Sequence, residues 1–212
     1  MPQLDARLSA AAAFVRSGAT AADIGCDHGK LSLHLAAHHV CNKVIACDIS
    51  PRPLAVAARN FALHGCAQTV ECRLGDGLSV LRPQEVDDII LAGVSGVTIA
   101  EILSAAVDFW TPHYRFIFVP SSKNEALRAW LYENGFALLH ETAAEAAGRF
   151  YAVMHVQYTG EKKIQSPLFC ATGLIAQEKT AAAHGYLQKV ARQIAKQGDA
   201  ALAKEVEDLW QR

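Results

Sequence analysis

Nowhere in this chain does the spacing G-x-G-x-x-G occur, so the tight glycine cradle that brings backbone amides onto a pyrophosphate is missing and a nicotinamide or flavin dinucleotide enzyme is disfavoured. The six cysteines, at 26, 41, 47, 66, 72 and 170, form no C-x-x-C pair and have no histidine at zinc-finger spacing. That excludes the common structural zinc sites and leaves them as reduced thiols acting as small hydrophobes, with a cytoplasmic location expected. His38-His39 beside Cys41 is the one cluster of such residues, and it reads as a helix end at the surface. No apolar run reaches the roughly 18 residues that cross a membrane. The short run Ala10 to Val15 is preceded by Asp5 and Arg7 and closed by Arg16, and Leu4, Leu8, Ala11, Ala12 and Val15 fall on one helical face, so it reads as a structural helix and not a leader. An excess of one charge is missing too. Lys and Arg number 20 against 21 Asp and Glu, a net charge of -1, so no global basic field advertises nucleic acid, although a local patch is compatible with it.

What remains is a chain of 212 residues, 51% hydrophobic, enough for one domain of ordinary size with an appendage. Its organising stretch is Thr20 to Leu35, TAADIGCDHGKLSLHL. Ala21, Ala22 and Ile24 suit a buried strand, Gly25 and Gly29 free the backbone for a sharp turn, and Leu31, Leu33 and Leu35 resume as a helix. A strand, a tight loop and a helix in that order cradle a ligand at the positive end of the helix dipole. The loop pattern Asp23-x-Gly25-x-x-x-Gly29 carries carboxylates at 23 and 27. They repel a pyrophosphate and attract a cation such as the ammonium and sulfonium end of S-adenosylmethionine.

Strand and helix then alternate. Lys43 to Asp48, Thr69 to Leu74, Asp87 to Ala92 and Arg115 to Val119 read as strands, with helices from about Gly29 to Ala37, Pro53 to Leu63, Gly96 to about Val107 and Asn124 to Tyr132. Phe136 to Ala144 and Arg149 to Gln157 face each other across a Gly148 turn as a hairpin. Five strands each followed by a helix and then a hairpin imply a seven-stranded, mostly parallel α/β sheet with one antiparallel strand at its end, the outline of a Rossmann-like class I methyltransferase. Ligands of such sheets sit outside the carboxyl ends of the strands, where this sequence places Asp23-Gly25-Asp27, Asp48, Asp76 and Gly93 to Gly96. Asp48 suits the two hydroxyls of a ribose, in a nicotinamide or a methyltransferase site alike. Asp76 can accept from an exocyclic adenine amine, with Gly75 and Gly77 letting the ring lie close, or it belongs to a plain turn.

After Gly160 the pattern is alanine-rich and helical, from Gly173 to Gln197 and from Ala200 to Trp210, broken at Gly198-Asp199: a small helical hairpin. Residues 1–159 are thus expected to form the cofactor-binding domain and 160–212 a C-terminal helical domain. Lys179, Lys189, Arg192 and Lys196 there form either a rail for RNA phosphates or an ordinary solvated face diluted by Glu178, Glu205, Glu207 and Asp208.

These residues together resemble the TrmK family of tRNA (adenine-22 N1) methyltransferases. The likeness rests on Arg7-Leu8, on ADIGCDH (Ala22 to His28) beside the family's A-D-I-G-S-D-H, on GDGL (Gly75 to Leu78), on Arg128-Ala129-Trp130-Leu131-Tyr132 and on Gly148-Arg149-Phe150-Tyr151. The sequence departs from the family at Gly93-Val94-Ser95-Gly96, for the usual G-M-G-G, at Asp27-His28-Gly29-Lys30-Leu31, for D-H-A-Y-L, and at Pro120-Ser121, for P-N. The resemblance implies S-adenosylmethionine as cofactor and a tRNA adenine N1 as methyl acceptor, with no metal and no membrane. It assigns the cofactor to Asp23, Gly25, Asp27, His28, Asp48, Ile49, Gly75, Asp76, Gly77, Ala92 and Gly93. Asp27, matching the aspartate of the family's S-D-H, is the candidate for the chemical step, and cofactor binding or loop structure is its other reading. The C-terminal helices resemble a shortened form of the family's tRNA-holding domain. Two alternatives stand beside this one. A methyltransferase of the same fold with another substrate is the first, and the absence of an N/D-P-P-Y/F motif argues against an exocyclic amine as its acceptor. A non-catalytic RNA-binding relative is the second, opposed by the intact Asp23, Gly25 and Asp48.

Overall fold

The interiors of runs such as Lys43–Asp48 and Asp88–Ala92, Val44 to Cys47 and Ile89 to Leu91, are apolar at every position because their strands are covered on both faces. The computed structural model, which describes residues 3–210, places seven strands in one sheet. They are β1 (Thr20–Ile24), β2 (Lys43–Asp48), β3 (Val70–Leu74), β4 (Asp88–Ala92), β5 (Arg115–Val119), β6 (Phe136–Ala146) and β7 (Arg149–Tyr158). Their order is β3-β2-β1-β4-β5-β7-β6, the first five parallel. The antiparallel strand is β7, paired with both β5 and β6, so it lies inside the sheet and not at its end as expected. A hairpin in sequence does not say which of its arms joins the sheet. The β7 arm does so here, leaving the less apolar β6 at the edge.

Among the described residues eight helices accompany the sheet: α1 (Ala6–Phe14), α2 (Lys30–Ala37), α3 (Pro51–Leu63), α4 (Gly96–Ser104), α5 (Asn124–Glu133), α6 (Pro167–Thr172), α7 (Ala181–Lys196) and α8 (Ala200–Asp208). Alternate residues of each strand feed two cores. Ile45, Ile89, Leu91, Phe116 and Phe118 join a core with Ile99 of α4, Leu127 and Leu131 of α5, and Ala183, Tyr186 and Leu187 of α7. Val44, Ala46, Ile90 and Ile117 join the other, with Ala11 of α1, Leu33 and Leu35 of α2, and Phe61 of α3.

The expected helix from Gly173 is instead a 3-10 turn and a separate helix, preceded by the short α6. Ser166 caps α6, a 3-10 turn covers Gly173–Gln177, and α7 begins only after Thr180, whose hydroxyl accepts from the Ala183 N–H. The cause is a buried ion pair. Arg128 and Glu141 have fully covered side chains 2.7 Å apart, and a Cβ at Gly173 would collide with both. Gly173 sits at a φ of 60°, and its successor Leu174 donates its N–H to Glu141 Oε2 at 2.8 Å. Arg128 also donates to the carbonyls of Cys170 and Ala171 and to the Tyr186 hydroxyl, so one guanidinium ties α5, β6, α6 and α7 together. The C-terminal helices therefore pack into the same core as the sheet.

Four cysteines are buried and unbridged, and burial pushes the thiols of Cys41 and Cys47 up to about 12, so they remain neutral and apolar. Among the described residues no helix is long and apolar enough to span a membrane, and no group of three metal-ligating side chains occurs.

Candidate active site

The sheet order reverses between β1 and β4, and in open α/β sheets the crevice at such a switch point takes the ligand. A cavity of about 560 Å³ lies there, walled by Asp23, Gly25, Asp27, His28, Asp48, Ile49, Ala92 and Gly93. Eight of the expected cofactor residues thus meet in one place. The other three do not. Asp76 and Gly77 line a neighbouring hollow with Leu78, Thr98 and Ile102, and Gly75 follows the end of β3 with its N–H on the Asp48 carbonyl at 3.0 Å.

The loop between β1 and α2 is built on backbone angles that few residues adopt. Gly25, Asp27 and Gly29 have φ of 74°, 51° and 70°. Gly29 has a second requirement, since any Cβ there would strike the Phe61 ring and Ala57 of α3. The resulting turn aims its amides sideways. Gly25 and Cys26 both donate to the Cys47 carbonyl at 2.8 Å, and Asp27 donates to Asp48 Oδ2 at 3.0 Å. These three loop amides are therefore engaged within the protein, which removes the nest of free N–H groups that a phosphate needs.

Three carboxylates distinguish the cavity. Asp23 is 2% exposed and accepts the Ser32 hydroxyl at 2.6 Å. Burial pushes its carboxyl up to about 6, the Ser32 bonds pull in the opposite direction, and the Asp48 charge adds a little to the rise. Asp48 is held by two amides, Asp27 N–H on Oδ2 and Ser50 N–H on Oδ1 at 2.8 Å, and the helix expected from Pro53 in fact starts at Pro51. Asp27 is the most open of the three, its side chain 71% exposed with Oδ2 2.9 Å from His28 Nδ1. A buried acid, a fixed acid and an exposed acid on one wall favour a cationic ligand with hydroxyls, and disfavour a polyanion.

Residues just before and within the first turn of α1 complete the wall: Gln3, Asp5, Arg7 and Leu8. Arg16, just after α1, donates its N–H and Nε to Asp88 at the start of β4, at 2.7 and 2.6 Å. The helix therefore runs antiparallel to β4 and its first turn reaches the strand's end, where Arg7 stands near Gly93. Arg7 and Leu8 were legible as motif residues, but helical periodicity gives a buried face and no direction across a sheet.

The Gly93-Val94-Ser95-Gly96 departure has a structural account. Ser95 caps α4, its Oγ accepting the Thr98 N–H at 3.1 Å and sharing a 2.9 Å hydrogen bond with Thr98 Oγ1. Gly96 is obligatory because a Cβ would collide with the Lys123 carbonyl, and its N–H reaches the Ser122 carbonyl at 2.8 Å. The loops after β4 and β5 are thereby stitched together. Beyond them a second cavity, about 480 Å³, lies between Ser121–Asn124, α6, α7 and α8, with Ala126, Ala171, Val190 and Ile194 among its walls. None of the strand-end acids reaches it. Of the basic residues weighed as a rail or as an ordinary solvated face, Lys189 turns its ammonium onto the Phe150 carbonyl at 2.8 Å, while Arg192 and Lys196 remain exposed.

The sheet order, the inserted antiparallel strand and an acid-lined crevice at the switch point define a Rossmann-like methyltransferase. Residues 4–154 match the methyltransferase domain family. Within that class the chain belongs to the TrmK family of tRNA (adenine(22)-N(1))-methyltransferases. It is 36% identical over 152 residues to the Bacillus subtilis (strain 168) tRNA (adenine(22)-N(1))-methyltransferase, an alignment covering 72% of this chain and 64% of that enzyme's length. The crystal structure of the B. subtilis m1A22 tRNA methyltransferase TrmK superposes with a TM-score of 0.81 at 30% identity, over 99% of this chain and 96% of that one. A Streptococcus pneumoniae protein assigned as a tRNA (m1A22) methyltransferase, in complex with S-adenosyl-L-methionine, gives a TM-score of 0.86 at 26% identity over 96% and 98%. The superpositions include the C-terminal helices that the domain match does not reach.

Proposed function

We propose that this protein is an S-adenosylmethionine-dependent methyltransferase acting on N1 of adenine 22 in tRNA, in the cytoplasm. The observation that carries the reading is the convergence of Asp23, Asp27 and Asp48 on one wall of the switch-point cavity. Names and cofactors of the relatives point the same way.

The donor set fits this cofactor. Asp48, with each oxygen already oriented by one amide, is placed to accept ribose hydroxyls, and exposed Ile49 offers an apolar surface for the adenine. Gly75, Asp76 and Gly77 lie beyond Ile49 and are proposed to close over the far edge of that ring. Asp23 is the counter-charge for the amine, with Gly25, His28, Ala92 and Gly93 shaping the space around it. When bound, the cofactor supplies an electrophilic methyl group on a sulfonium.

The acceptor, adenine N1, has an in-plane lone pair but is a weak nucleophile, and methylation spreads positive charge over N1 and N6. Asp27 is proposed to face that amine and to hold the developing charge or take its proton. A paired adenine must first leave the stack to be reached. A functional division near residue 160 is proposed, with 1–159 performing methyl transfer and 160–212 holding the tRNA.

Titration calorimetry with S-adenosylmethionine, followed by methyl transfer to unmodified tRNA and nucleoside analysis, tests the reading. Cofactor binding with 1-methyladenosine formed is the expected result. Binding without that product moves the substrate elsewhere, and no binding rejects the enzyme.

A further inference from the structure

The net charge of -1 conceals an uneven distribution across the sheet. The helices of the core that holds Val44, Ala46, Ile90 and Ile117, which are α1, α2 and α3, contain no aspartate or glutamate. On the opposite face Glu101 lies in α4, Glu125 and Glu133 in α5, and Glu205, Glu207 and Asp208 in α8, with α7 the basic exception.

Acids bordering the first face are already engaged. From His28 to Val70 the sequence has one, Asp48, whose two oxygens accept the Asp27 and Ser50 amides. Glu71, just beyond, takes Lys43 at 2.7 Å and Arg73 at 2.8 Å. Lys30 of α2 and Arg52 and Arg59 of α3 are left exposed, and among the described residues none of the three has a carboxylate within ion-pair distance.

Their placement relates this face to the site. Both helices start at the rim of the switch-point cavity, since Lys30 lines it and α3 begins two residues after Ile49, which also lines it. The helices pack side by side, with Asn60 Nδ2 of α3 donating to the His28 carbonyl at 3.0 Å and the Phe61 ring covering Gly29. Lys30, His34 and His38 recur every fourth residue, about 6 Å apart along the axis, so they share one face of α2. The rings of His34 and His38 lie 4.4 Å apart. Arg52 and Arg59 are separated by two turns, about 10 Å, with exposed Ala55 and Val56 between them on the same face. Lysine and arginine neutralise phosphates, and a histidine N–H donates to a phosphate oxygen whether or not the ring is charged. A polyanion repelled by the acids inside the cavity is therefore attracted as soon as it passes the rim.

We propose that the α2–α3 face binds the RNA phosphate backbone beside the nucleotide that enters the cavity, so that the substrate is held on both flanks of the sheet, here and at the C-terminal helices. This assignment rests on the tRNA methyltransferase reading above.

The test is anisotropy titration of an unmodified tRNA transcript with the whole chain over a range of salt, with calorimetry of S-adenosylmethionine on each variant. Arg52→Gln combined with Arg59→Gln is expected to weaken tRNA binding about tenfold and to flatten the slope of log K against log salt by about one to two. Its Kd for S-adenosylmethionine should stay within about threefold, because neither arginine lines the cavity. Arg52→Lys combined with Arg59→Lys keeps both charges and is expected to hold tRNA affinity within about threefold. Unchanged tRNA affinity and salt slope in the glutamine pair overturn the assignment and leave the methyltransferase reading standing. An equal loss in the lysine pair does the same, as does a loss confined to Arg192→Gln with Lys196→Gln on α7. An unmutated protein that binds S-adenosylmethionine but no tRNA overturns both the assignment and the substrate.

Discussion

The Asp27 amide donates to Asp48 Oδ2 at 3.0 Å, joining the loop after β1 to the end of β2. One carboxylate thereby holds the strained turn and is, under the proposed function, the acceptor for a ribose. Asp48→Asn puts an amide N–H where an acceptor is required, or turns its oxygen away from Ser50. The expected result is at least a tenfold loss of S-adenosylmethionine affinity, with a loss of stability of about 1–2 kcal/mol, read by calorimetry and urea unfolding. Unchanged affinity would remove Asp48 from the cofactor site.

Asp27 is less constrained than Asp23 and Asp48, because its carboxylate is open to solvent and its polar partner is its neighbour His28. Asp27→Ala is expected to leave cofactor affinity within about tenfold and to cut turnover by about a hundredfold, measured by single-turnover methyl transfer to tRNA. Loss of binding in place of turnover moves Asp27 to the cofactor group.

The Arg128–Glu141 pair is worth most when broken on one side only. Glu141→Gln leaves a buried guanidinium without its counter-charge, and a loss of about 3–5 kcal/mol is expected. The double substitution Arg128→Met with Glu141→Leu should recover more than half of that in urea unfolding. If the double variant is as unstable as the single one, the network holds the C-terminal helices through hydrogen bonds to Cys170, Ala171 and Tyr186, not through charge.

Two buried groups titrate in overlapping ranges with opposite signs. Burial raises the Asp23 carboxyl from 3.8 to about 6, so the folded chain keeps that proton longer than the unfolded one, and stability falls as pH rises between those values. Burial, then the charge of Arg115, lowers His155 from 6.5 to about 4, so the unfolded chain gains that proton first, and stability falls as pH drops between those values. Each amounts to about 3 kcal/mol at most, and the two largely cancel. Asp23→Asn should therefore raise Tm relative to the parent more at pH 7.5 than at pH 4.5, two conditions between which most of each transition falls. His155→Phe should do the reverse. Parallel pH profiles for all three proteins would sink the idea.

Cofactor affinity should follow Asp23 as well. A cationic ligand prefers the ionised carboxylate, so affinity is expected to weaken as pH falls through about 6, and Asp23→Asn should abolish that dependence. Calorimetry across that range reads it directly.

Much of this was legible in the sequence because strand ends announce themselves. Asp23, Gly25, Asp48 and Gly93 each close an apolar run, and parallel strands put their ends along one edge, so aligning the runs aligned the site. What stayed hidden depended on partners far away in the chain. Nothing in Gly173–Gln177 marks it as other than helical until Arg128 and Glu141 are placed beside it. The hairpin Phe136–Tyr158 reads the same whichever arm enters the sheet. Arg7 reached the cavity only because Arg16 fixes the opposite end of its helix.

The inserted strand β7 pairs with β5 from Phe116 to Phe118 and then continues past it, bonded only to β6 from Val153 back to Arg149. This overhang stands beyond the acid-lined edge of the sheet, and successive residues on it look opposite ways. Tyr151 lies under Arg7 on the cofactor's side, whereas Phe150 fills the space beside Gly185 and gives its carbonyl to Lys189 on the side of the C-terminal helices. The projecting hairpin is thus a partition with two separately editable faces. Under the proposed function, odd positions would answer to the small molecule and even positions to the macromolecule, so either face could be altered without disturbing the other.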